Sequence, residues 1–485
     1  MKNTISKADW LAAGQCQAMA WYGLRVETHP PDEATRFRME QGQEVGALAR
    51  RLYPNGVPVA RTAEVRAAAV TQALIADGSH QALFEAAFES GPFVAKADIL
   101  SREGGGWHLL EVKSSFSDSS SIKDYINDLA YTAMVLRRAG LTIVKASLVL
   151  LSRDYRYGLG VDRLFTILDK TQDVDPCAAV FEEAADAVAH ALLGGTCPAP
   201  VLVSACRRCD FFATACLGAG RAHTVVELPN LHHTKLKKLS AEGIIDLSGV
   251  PADFPLSDRQ QRVKDAALSG QTLIDDGLGA ALQAIQWPCH YLDFETVATV
   301  MPLYEGDGCH QQVLTQFSVH HRDAPDADPR QSEFLADAGQ SEERQLAGAL
   351  IGVLGQEGSI IVYGSFEKTR ISALRDAFPD LSAGLDALLG RLMDLNEIVA
   401  SHVYHPAFRG SFSMKAVIPA LVPDLSYAGL AVADGDTAIT KFARMARGEI
   451  SGDAVTVTRG QLLAYCRMDT LGMVRLHEIL SRLAP

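Results

Sequence analysis

The sequence predicts an α/β protein of two domains, each a mixed β-sheet flanked by helices. Residues 93–115, FVAKADILSREGGGWHLLEVKSS, form two β-rich runs around a glycine-rich turn, and residues 287–304, WPCHYLDFETVATVMPLY, begin with an apolar strand. Helical periodicity is found after the first segment, at 124–140, and again at 461–480. A chain of 485 residues, 48% of them hydrophobic, is long enough to bury a separate core in each domain.

Composition excludes several classes of protein. Charged residues make up 21% of the chain, which is typical of a globular protein and not of a disordered one. No apolar run approaches the roughly 18 residues that span a membrane, and the opening MKNTISKADW lacks the hydrophobic stretch of a signal peptide. We therefore expect a cytoplasmic protein with no membrane partner. The net charge of -13 excludes a generally basic surface, but not a local basic groove for nucleic acid.

The first pair of strands carries candidate catalytic residues. Strand side chains alternate between faces, so Glu111 and Lys113 share one face, and counting back through the turn puts Asp98 opposite Glu111. Metal-assisted phosphodiester hydrolysis requires carboxylates that hold Mg²⁺ or Mn²⁺ and a lysine that orients water. Acids and lysines are also common on the solvent-facing side of any hairpin, and the pattern alone leaves both interpretations open.

Three cysteines lie close together in residues 205–216, ACRRCDFFATAC. Cys206, Cys209 and Cys216 offer three thiolates, whereas a tetrahedral zinc ion or a cubane iron–sulfur cluster takes four. The fourth ligand must therefore come from elsewhere in the chain. Nine cysteines with irregular spacing in a chain of this length argue against a disulfide framework.

The first half of the chain resembles the RecB-like nucleases of the PD-(D/E)XK class, which include Cas4 and AddB-type proteins. Residues 124–140, DYINDLAYTAMVLRRAG, resemble the helix after their active-site strands. Residues 5–24, ISKADWLAAGQCQAMAWYGL, resemble the opening of members that carry one cysteine in the first helix, close to a tryptophan, and three more after the nuclease core. The resemblance implies that Cys16 is the fourth ligand of a [4Fe–4S] cluster, with structural Zn²⁺ as the alternative. Such a site would join the two ends of a nuclease domain at 1–222. The other cysteines are interpreted as ordinary small residues: Cys177, Cys197, Cys289, Cys309 and Cys466.

One departure from that family concerns its metal site. Many RecB-like nucleases place a histidine ligand on an N-terminal helix, and the comparable helix here, FRMEQGQEVGALARRLY at 37–53, has none. Either Glu44 or Glu40 could substitute as a carboxylate ligand, or both are solvated helical acids.

The residues after the cysteines, 223–284, predict a helical connector between the domains. The segment contains two polar helices and a glycine-containing turn, which resembles a helix-hairpin-helix element that presents backbone amides to phosphate. Lys235, Lys237 and Lys238 give it a basic face that could contact nucleic acid. A plain helical linker is the alternative.

The second domain, predicted at 285–485, begins with a strand that carries two acids. In CHYLDFET, Asp293 and Glu295 point to one face. In QLLAYCRMDTLGMVRLHEIL, at 461–480, Tyr465 and Asp469 lie one helical turn apart. The two segments resemble the first and third motifs of the DEDDy exonucleases, a branch of the ribonuclease H-like superfamily. The resemblance implies that the three acids bind metal and that Tyr465 assists the attacking water.

The fourth acid of such a site has two candidates in the sequence. In GSIIVYGSFEKTRISAL, at 358–374, Glu367 takes the position of the family's second-motif aspartate, although glutamate is longer by one methylene. Asp394 is the alternative, and it could equally be a strand-end acid that holds a loop. Between these motifs, Lys415 in GSFSMKAVIPALVPDLSY could meet a phosphate.

The order of the two halves resembles bacterial DUF2779-type proteins, whose C-terminal region is related to YprB-type exonucleases. It implies a Mg²⁺- or Mn²⁺-dependent nuclease with two sites, acting by preference on single-stranded or frayed DNA ends, with RNA possible. One alternative is a nuclease with one active site and one binding module, and another is a non-catalytic scaffold held by zinc. No ATP-binding Gly-Lys-Ser/Thr loop is present, so a helicase, repair or defence partner would be a separate chain.

Overall fold

The computed structural model describes residues 2–26, 30–60 and 66–484. The chain divides into two compact units, and each contains a mixed sheet flanked by helices, which confirms the predicted α/β class. The first unit comprises Met1–Ala219 and Thr299–Gln311, and the second comprises Gly220–Ala298 and Gln312–Pro485. Residues 223–284, predicted as a separate connector, thus fall within the second unit, whereas residues 299–311 fall within the first.

The first unit contains the elements whose bounds follow. Its helices are α1 (Lys7–Gln15), α2 (Gln17–Gly23), α3 (Glu33–Ala49), α4 (Ala67–Asp77), α5 (Ile122–Arg138), α6 (Thr171–Leu193) and α7 (Phe212–Ala215). Its strands are β1 (Val57–Pro58), β2 (Ala82–Ser90), β3 (Phe93–Glu103), β4 (Gly106–Phe116), β5 (Ile143–Leu151) and β6 (Phe165–Asp169).

The strands of the first unit form one sheet in the order β1-β2-β3-β4-β5-β6. The β2, β3 and β4 strands are antiparallel neighbours, and β5 runs parallel to β4 after the α5 crossover. Gly104 and Gly105 form the two-residue turn between β3 and β4; both have positive φ, which glycine adopts without strain. This tight turn fixes the register that decides which acids face each other.

Helix α5 covers one face of this sheet and closes the core. Its residues from Leu129 to Leu136 are all buried. The hydroxyl of Tyr131 donates to the carbonyl of Ile5 at 2.6 Å, and Trp10 packs edge-on against Phe93 with ring centroids 5.8 Å apart. The N-terminal segment is therefore anchored on the core, which allows α1 to contribute to a site.

The second unit contains the remaining elements. Its helices are α8 (His233–Ala241), α9 (Asp258–Ser269), α10 (Leu278–Gln283), α11 (Glu343–Leu354), α12 (Phe366–Ala377), α13 (Ser382–Leu389), α14 (Leu395–His402), α15 (Met414–Leu421), α16 (Gly435–Ala446) and α17 (Asp453–Leu483). Its strands are β7 (Leu273–Ile274), β8 (Cys289–Ala298), β9 (Gln312–Arg322), β10 (Arg330–Leu335), β11 (Ser359–Val362), β12 (Leu392–Asp394) and β13 (Val403–Tyr404).

The main sheet of the second unit has the order β10-β9-β8-β11-β12. The first three strands form an antiparallel meander, and β11 and β12 then add in parallel to β8. The central strand, β8, is therefore the one that carries Asp293 and Glu295. Helix α17 contacts β8 and β9, and this packing brings the C-terminal helix to the same acids.

Across the described ranges, no helix combines the length and the apolar character needed to cross a membrane.

Candidate functional site

Two neighbouring strands of the first unit bring Asp98 and Glu111 together. The β3–β4 pairing joins Ile99 to Leu110, and continuing this register by one residue puts Asp98 opposite Glu111, the position expected from the sequence. The Oδ2 atom of Asp98 accepts a hydrogen bond of 2.8 Å from the backbone N–H of Val112. The antiparallel ladder therefore holds both carboxyl groups on one face of the sheet.

Glu111 is a buried carboxylate with one satisfied oxygen. Its exposure is 2%, and its Oε1 atom accepts from Lys7 and, at 3.0 Å, from Lys113. Its Oε2 atom is buried and has no hydrogen-bond partner. Burial alone would raise the pKa of Glu111, but the two ammonium groups outweigh it and lower the pKa below its usual range. Glu111 is therefore ionised, with one oxygen left for a further ligand.

Lys113 is held between two carboxylates. Its ammonium contacts Glu111 and Asp128, which lies on α5. Burial disfavours the charge, but the two carboxylates prevail and raise the pKa of Lys113. The lysine is thus a fixed cation at the predicted position. The sequence did not single out Lys7 or Asp128, because only the folded chain brings α1 and α5 to β4.

Asp98 has a strongly perturbed carboxyl group. Burial, and then the charge of Glu111, raise the pKa of Asp98 to about 7. Near neutral pH, a cation that binds Asp98 would therefore displace a proton from its carboxyl group. Two close carboxylates, one with a raised pKa and one with an unpartnered oxygen, suit an oxygen-preferring divalent ion.

A groove of about 740 Å³ lies beside Asp98, with α3 on one side and the sheet on the other. It is lined by Met39, Gly42, Gln43, Gly46, Ala47, Arg50, Val59, Glu85, Lys96, Asp98, Ile99 and Val112. Glu40 and Glu44, the acids that the sequence suggested as substitutes for a helix histidine, are not among the described residues that line it. The structure brings Gln43 and Glu85 to the groove instead.

The four cysteines predicted as ligands line one cavity of the first unit. Cys16 lies at the junction of α1 and α2, and Cys206, Cys209 and Cys216 follow α6. Apolar and aromatic residues complete the lining: Met19, Tyr22, Val201, Val203, Ala205, Phe211 and Phe212. The long sequence separation between Cys16 and the other three is closed by the fold.

Tyr22, on α2, contacts the segment that carries the three later cysteines. Its hydroxyl donates to the carbonyl of Ala215 at 2.6 Å, and its ring stacks on Phe211 with centroids 5.4 Å apart. Burial raises the pKa of Cys206 and Cys216, and the neighbouring thiols raise both further. A bound cationic centre would remove that cost, because it stabilises the thiolates.

Three carboxylates of the second unit converge on one point. Ligand oxygens of Asp293, Glu295 and Asp469 all lie within 4.8 Å of one another. The first two residues alternate with Phe294 on β8, which puts them on one face, and α17 supplies the third. The structure therefore brings together three of the acids that the sequence proposed as metal ligands.

Burial and mutual repulsion perturb all three groups. Burial, then Asp469, raises the pKa of Asp293 well above its usual range, and the same two causes raise the pKa of Glu295 to about 8. Burial raises the pKa of Asp469 to about 6, although hydrogen bonds from Tyr427 and Tyr465 oppose the shift. Such carboxylates repel one another unless protons or cations neutralise them. This donor set fits divalent metal ions.

Glu367, rather than Asp394, turns toward this cluster. Glu367 is 3% exposed, its Oε2 atom is buried without a hydrogen-bond partner, and its charge raises the pKa of both Asp293 and Glu295. Asp394 caps α14, because its side chain accepts from the backbone N–H groups of Asn396 and Glu397. Its Oδ1 atom also accepts from Gly364 at 2.9 Å. Asp394 thus holds a loop, which was one of its two interpretations.

The predicted Tyr465 has a neighbour that the sequence did not reveal. The hydroxyl of Tyr427 donates to Oδ1 of Asp469 at 2.6 Å, and the two tyrosine rings lie 6.4 Å apart. Tyr427 falls in the segment between α15 and α16, where nothing in the local pattern indicates a site. Lys415, at the start of α15, lowers the pKa of Glu295 and Asp469 by its charge and is exposed.

A buried thiol also touches the cluster. The Sγ atom of Cys466 lies 3.3 Å from Oδ2 of Asp293, within reach of an S–H donor. Cys466 was interpreted from the sequence as an ordinary small residue. Its position in α17, directly after Tyr465, places it against β8.

The connector lysines have different surroundings. Lys235 donates to the carbonyl of Pro255, and Lys238 lies over the ring of Phe254 at 5.7 Å. Lys237 is exposed on α8. Two of the three side chains predicted to form a basic face are therefore engaged within the connector.

One comparison with known proteins identifies a stretch of the chain that lies mostly in the second unit. Residues 290–413 match the family model described as Domain of unknown function (DUF2779). This confirms the DUF2779 part of the resemblance over that range, which is less than half of the chain. The DUF2779 match contains Asp293, Glu295 and Glu367, ends before α17, and carries no assigned reaction. No curated protein matches the chain.

Proposed function

We propose that the protein is a metal-dependent nuclease with two active sites, one in each unit. The observation that carries the proposal is the convergence of Asp293, Glu295 and Asp469, whose ligand oxygens lie within 4.8 Å of one another, with Tyr465 one turn before Asp469 on α17. The first unit supports it independently through Asp98 and Glu111. The proposed folds are PD-(D/E)XK for the first unit and ribonuclease H-like for the second.

In the second site, Asp293, Glu295, Glu367 and Asp469 would hold Mg²⁺ or Mn²⁺. Bound divalent ions would polarise the scissile phosphate and lower the pKa of a water nucleophile. Tyr465 faces Asp469 and orients the attacking water, and Tyr427 fixes the Asp469 carboxylate by its hydrogen bond. Lys415 is exposed at the edge of the cluster, where its ammonium can bind a phosphate of the substrate.

In the first site, Asp98 and Glu111 would hold the ion, and Lys113 positions the nucleophile. The unpartnered Oε2 atom of Glu111 and the raised pKa of Asp98 fit a cation between these carboxyl groups. Lys113 stays protonated between Glu111 and Asp128, so it acts as a fixed positive charge and hydrogen-bond donor. It orients water and offsets charge that develops on the phosphate.

The cysteine cavity is the proposed site of a [4Fe–4S] cluster. Its four cysteines, Cys16, Cys206, Cys209 and Cys216, supply the four thiolates that such a cluster takes. The apolar lining and the resemblance to RecB-like nucleases support the cluster, and structural zinc is the alternative.

Single-stranded or frayed DNA ends are the proposed substrate, with RNA as the second candidate. Three carboxylates of the second site, Asp293, Glu295 and Asp469, are half-buried, and a flexible single strand can reach them more readily than a rigid duplex. A separate helicase or a repair or defence protein is the proposed partner.

The decisive experiment is cleavage of end-labelled single-stranded DNA and RNA, with Mg²⁺ and with Mn²⁺, by protein purified without oxygen. Lys113→Ala disables the first site, Asp293→Ala disables the second, and the double variant disables both. Lys145→Ala in the first unit and Asp323→Ala in the second are the matched controls. We expect each single variant to lose a distinct set of products and the double variant to be inactive.

Other outcomes would select the alternatives. Loss of all products in only one single variant would leave one active site and one binding module. Equal behaviour of wild type and the double variant, with no metal-dependent cleavage, would overturn the nuclease proposal in favour of a non-catalytic scaffold.

A further inference from the structure

Arg370, on helix α12, is a cation without an anionic partner. Its side chain is half-buried and makes no hydrogen bond or ion pair with any residue that the structure describes. The Nε atom is buried and unpartnered, whereas the two Nη atoms reach solvent. A buried donor that lacks an acceptor is costly to the folded protein. The chain therefore keeps a guanidinium whose hydrogen-bonding capacity its described residues do not use.

Two other arginines of the second unit show the contrast. Arg375, on the same helix, pairs with Asp376 at 2.9 Å and with Asp386 at 3.2 Å. Arg391 donates to backbone carbonyl groups, among them that of Gly358 at 2.7 Å. The chain has 58 acidic and 45 basic residues, so anionic partners are plentiful. The unused guanidinium is thus a property of this position and not of the composition.

Arg370 shares a face of α12 with Phe366 and Glu367. An α-helix turns by about 100° per residue, so in projection Arg370 lies about 40° from Phe366 and about 60° from Glu367, between the two. The guanidinium lies over the Phe366 ring, 5.7 Å from its centroid, and Phe366 is 38% exposed. The stacked pair is therefore at the surface, on the side of the helix that carries a proposed metal ligand.

The guanidinium is nevertheless separate from the acid cluster. Burial raises the pKa of Glu367, a hydrogen bond from its own backbone N–H opposes the shift, and the charge of Asp394 adds to it; Arg370 is not among these causes. Along the helix axis, Arg370 lies about 4.5 Å beyond Glu367. An anion held by Arg370 would therefore lie beside the proposed ion site and not within it.

A phosphate group is the anion that these features fit. A planar guanidinium presents its N–H donors as a fork that matches phosphate oxygens, and it stacks on aromatic rings as Arg370 does on Phe366. A nucleic-acid strand carries one phosphate per nucleotide. With its scissile phosphate at the acids, such a strand brings a neighbouring phosphate to the next turn of α12.

We propose that Arg370 binds a backbone phosphate next to the scissile bond of a single strand in the second site. The inference rests on the proposed function of that site and deepens it. The phosphate supplies the acceptors that the described chain does not, and the contact fixes the strand relative to Glu367. Arg370 is thus a substrate-binding residue, one helical turn from a proposed metal ligand.

The test combines Arg370 variants with single neutral linkages in the substrate. In a Lys113→Ala background only the second site cleaves, and kcat and KM are measured on single-stranded DNA in which one phosphate at a time is replaced by an uncharged methylphosphonate. The variants are Arg370→Gln and Arg370→Lys. Arg375→Gln is the matched control, because Arg375 lies on the same helix and already has acidic partners. Thermal unfolding verifies that each variant is folded.

We expect Arg370→Gln to raise KM about 10- to 100-fold with little change in kcat, and to lower the salt dependence of binding by about 0.7 in the logarithmic slope. One neutral linkage should cause a similar loss in the Lys113→Ala parent and no further loss in Arg370→Gln, since both changes remove the same contact. Arg370→Lys should recover part of the affinity, and Arg375→Gln should match the parent.

A lower kcat at unchanged KM, or additive losses in Arg370→Gln at every linkage, would overturn the role of Arg370 and leave the proposed nuclease intact. Absence of cleavage by every protein, wild type included, would overturn the proposed function. Equilibrium binding of the same strands in the presence of a chelator then tests Arg370 alone. A lower salt slope in Arg370→Gln would support the phosphate contact, and an unchanged slope would overturn it.

Discussion

Tyr427 donates a hydrogen bond of 2.6 Å to Oδ1 of Asp469, and this contact favours the ionised form of a proposed metal ligand. Burial raises the pKa of Asp469 to about 6, and the tyrosine bonds limit that rise. A hydrogen bond to the charged form of a carboxylate stabilises that form. Tyr427 therefore keeps Asp469 available to a cation at a pH where burial alone would protonate it.

Replacing Tyr427 with phenylalanine should move the pH dependence of the second site. Without the hydroxyl, the pKa of Asp469 rises, so the acidic limb of the activity profile shifts to higher pH, with a loss of about 10-fold at most at the optimum. Tyr465→Phe should instead lower kcat about 100-fold over the whole range, because it removes a group that orients water. Cleavage rates with Mn²⁺ from about pH 5 to about pH 9, in a Lys113→Ala background, distinguish the two effects. Parallel profiles for both variants would contradict this division of roles.

The stability of the metal-free protein should fall as the pH rises. The carboxyl groups of the second site have raised pKa values in the folded protein, and that of Glu295 is raised to about 8, whereas an unfolded carboxyl titrates near 4. Between these limits the folded chain holds protons that the unfolded chain has released, so the free energy of unfolding decreases with increasing pH. Thermal unfolding in the presence of a chelator, measured from about pH 5 to about pH 8, should show a falling midpoint that Mn²⁺ restores.

A double replacement tests the origin of this slope. Asp293→Asn combined with Glu295→Gln removes two of the titrating groups, so the midpoint should vary less with pH. Asp323→Asn, an exposed acid in the same unit, should keep the slope of the wild type. A wild-type midpoint that rises with pH under the same conditions would show that the cluster is not the dominant titrating group.

Replacements of Glu367 and of Asp394 should have different effects, one on metal affinity and the other on folding stability. Glu367→Gln removes a buried oxygen that has no protein partner, so Mn²⁺ affinity at the second site should fall about 10-fold or more, with little loss of stability. Asp394→Ala removes a helix cap and a loop contact, so it should lower the free energy of unfolding by about 1 kcal/mol and leave Mn²⁺ affinity unchanged. Calorimetric titration and urea unfolding measure the two quantities. The reverse assignment would make Asp394 the ligand.

If the cysteine cavity holds an iron–sulfur cluster, the protein should be coloured, and the colour should depend on Cys16 as well as on the three later cysteines. Cys16→Ser should abolish the visible absorbance of protein purified without oxygen as completely as Cys206→Ser, because both supply ligands to one centre. Cys177→Ser replaces a half-buried thiol that donates a hydrogen bond to Asn127, and this variant should retain the visible absorbance. Iron and zinc content by elemental analysis accompany the spectra. Colourless wild-type protein with one zinc ion per chain would select the structural zinc alternative.

The local sequence pattern was sufficient to predict some of the residues of each proposed site. Strand alternation put Asp293 beside Glu295, and the short glycine turn fixed the register that sets Asp98 against Glu111. Both inferences use neighbours in the chain, whose geometry follows from the period of a strand. The hairpin is tight enough that counting residues through the turn predicts the pairing.

Residues joined only by the tertiary fold escaped prediction. Lys7 lies over a hundred residues from Glu111, and Tyr427 meets Asp469 from a segment without regular structure. Glu85 is an ordinary strand acid in the sequence, and only the pairing of β2 with β3 and its left-handed backbone set it apart. The placement of residues 299–311 in the first unit likewise depends on packing that no local signal encodes.

Lys7 and Lys113 touch the same oxygen of Glu111 but should differ in their effect on activity. Removing the charge at Lys7 takes away the largest influence that lowers the pKa of Glu111, so that pKa should rise, although Lys113 still opposes the effect of burial. We expect Lys7→Met to lose first-site cleavage near neutral pH and to recover it as the pH rises and Glu111 ionises. Lys113→Met should remain inactive at every pH, since it removes the group that orients water, with a loss of about 100-fold or more.

Product analysis in an Asp293→Ala background measures this contrast, because only the first site then contributes. Lys145→Met, which removes a cation that pairs with Glu103 in the same unit, should behave as the background does. Recovery of Lys113→Met at high pH would mean that this lysine also acts by keeping Glu111 ionised. A flat, low profile for Lys7→Met would instead give Lys7 a direct part in binding the substrate, which its position beside the buried carboxylate makes the next interpretation to test.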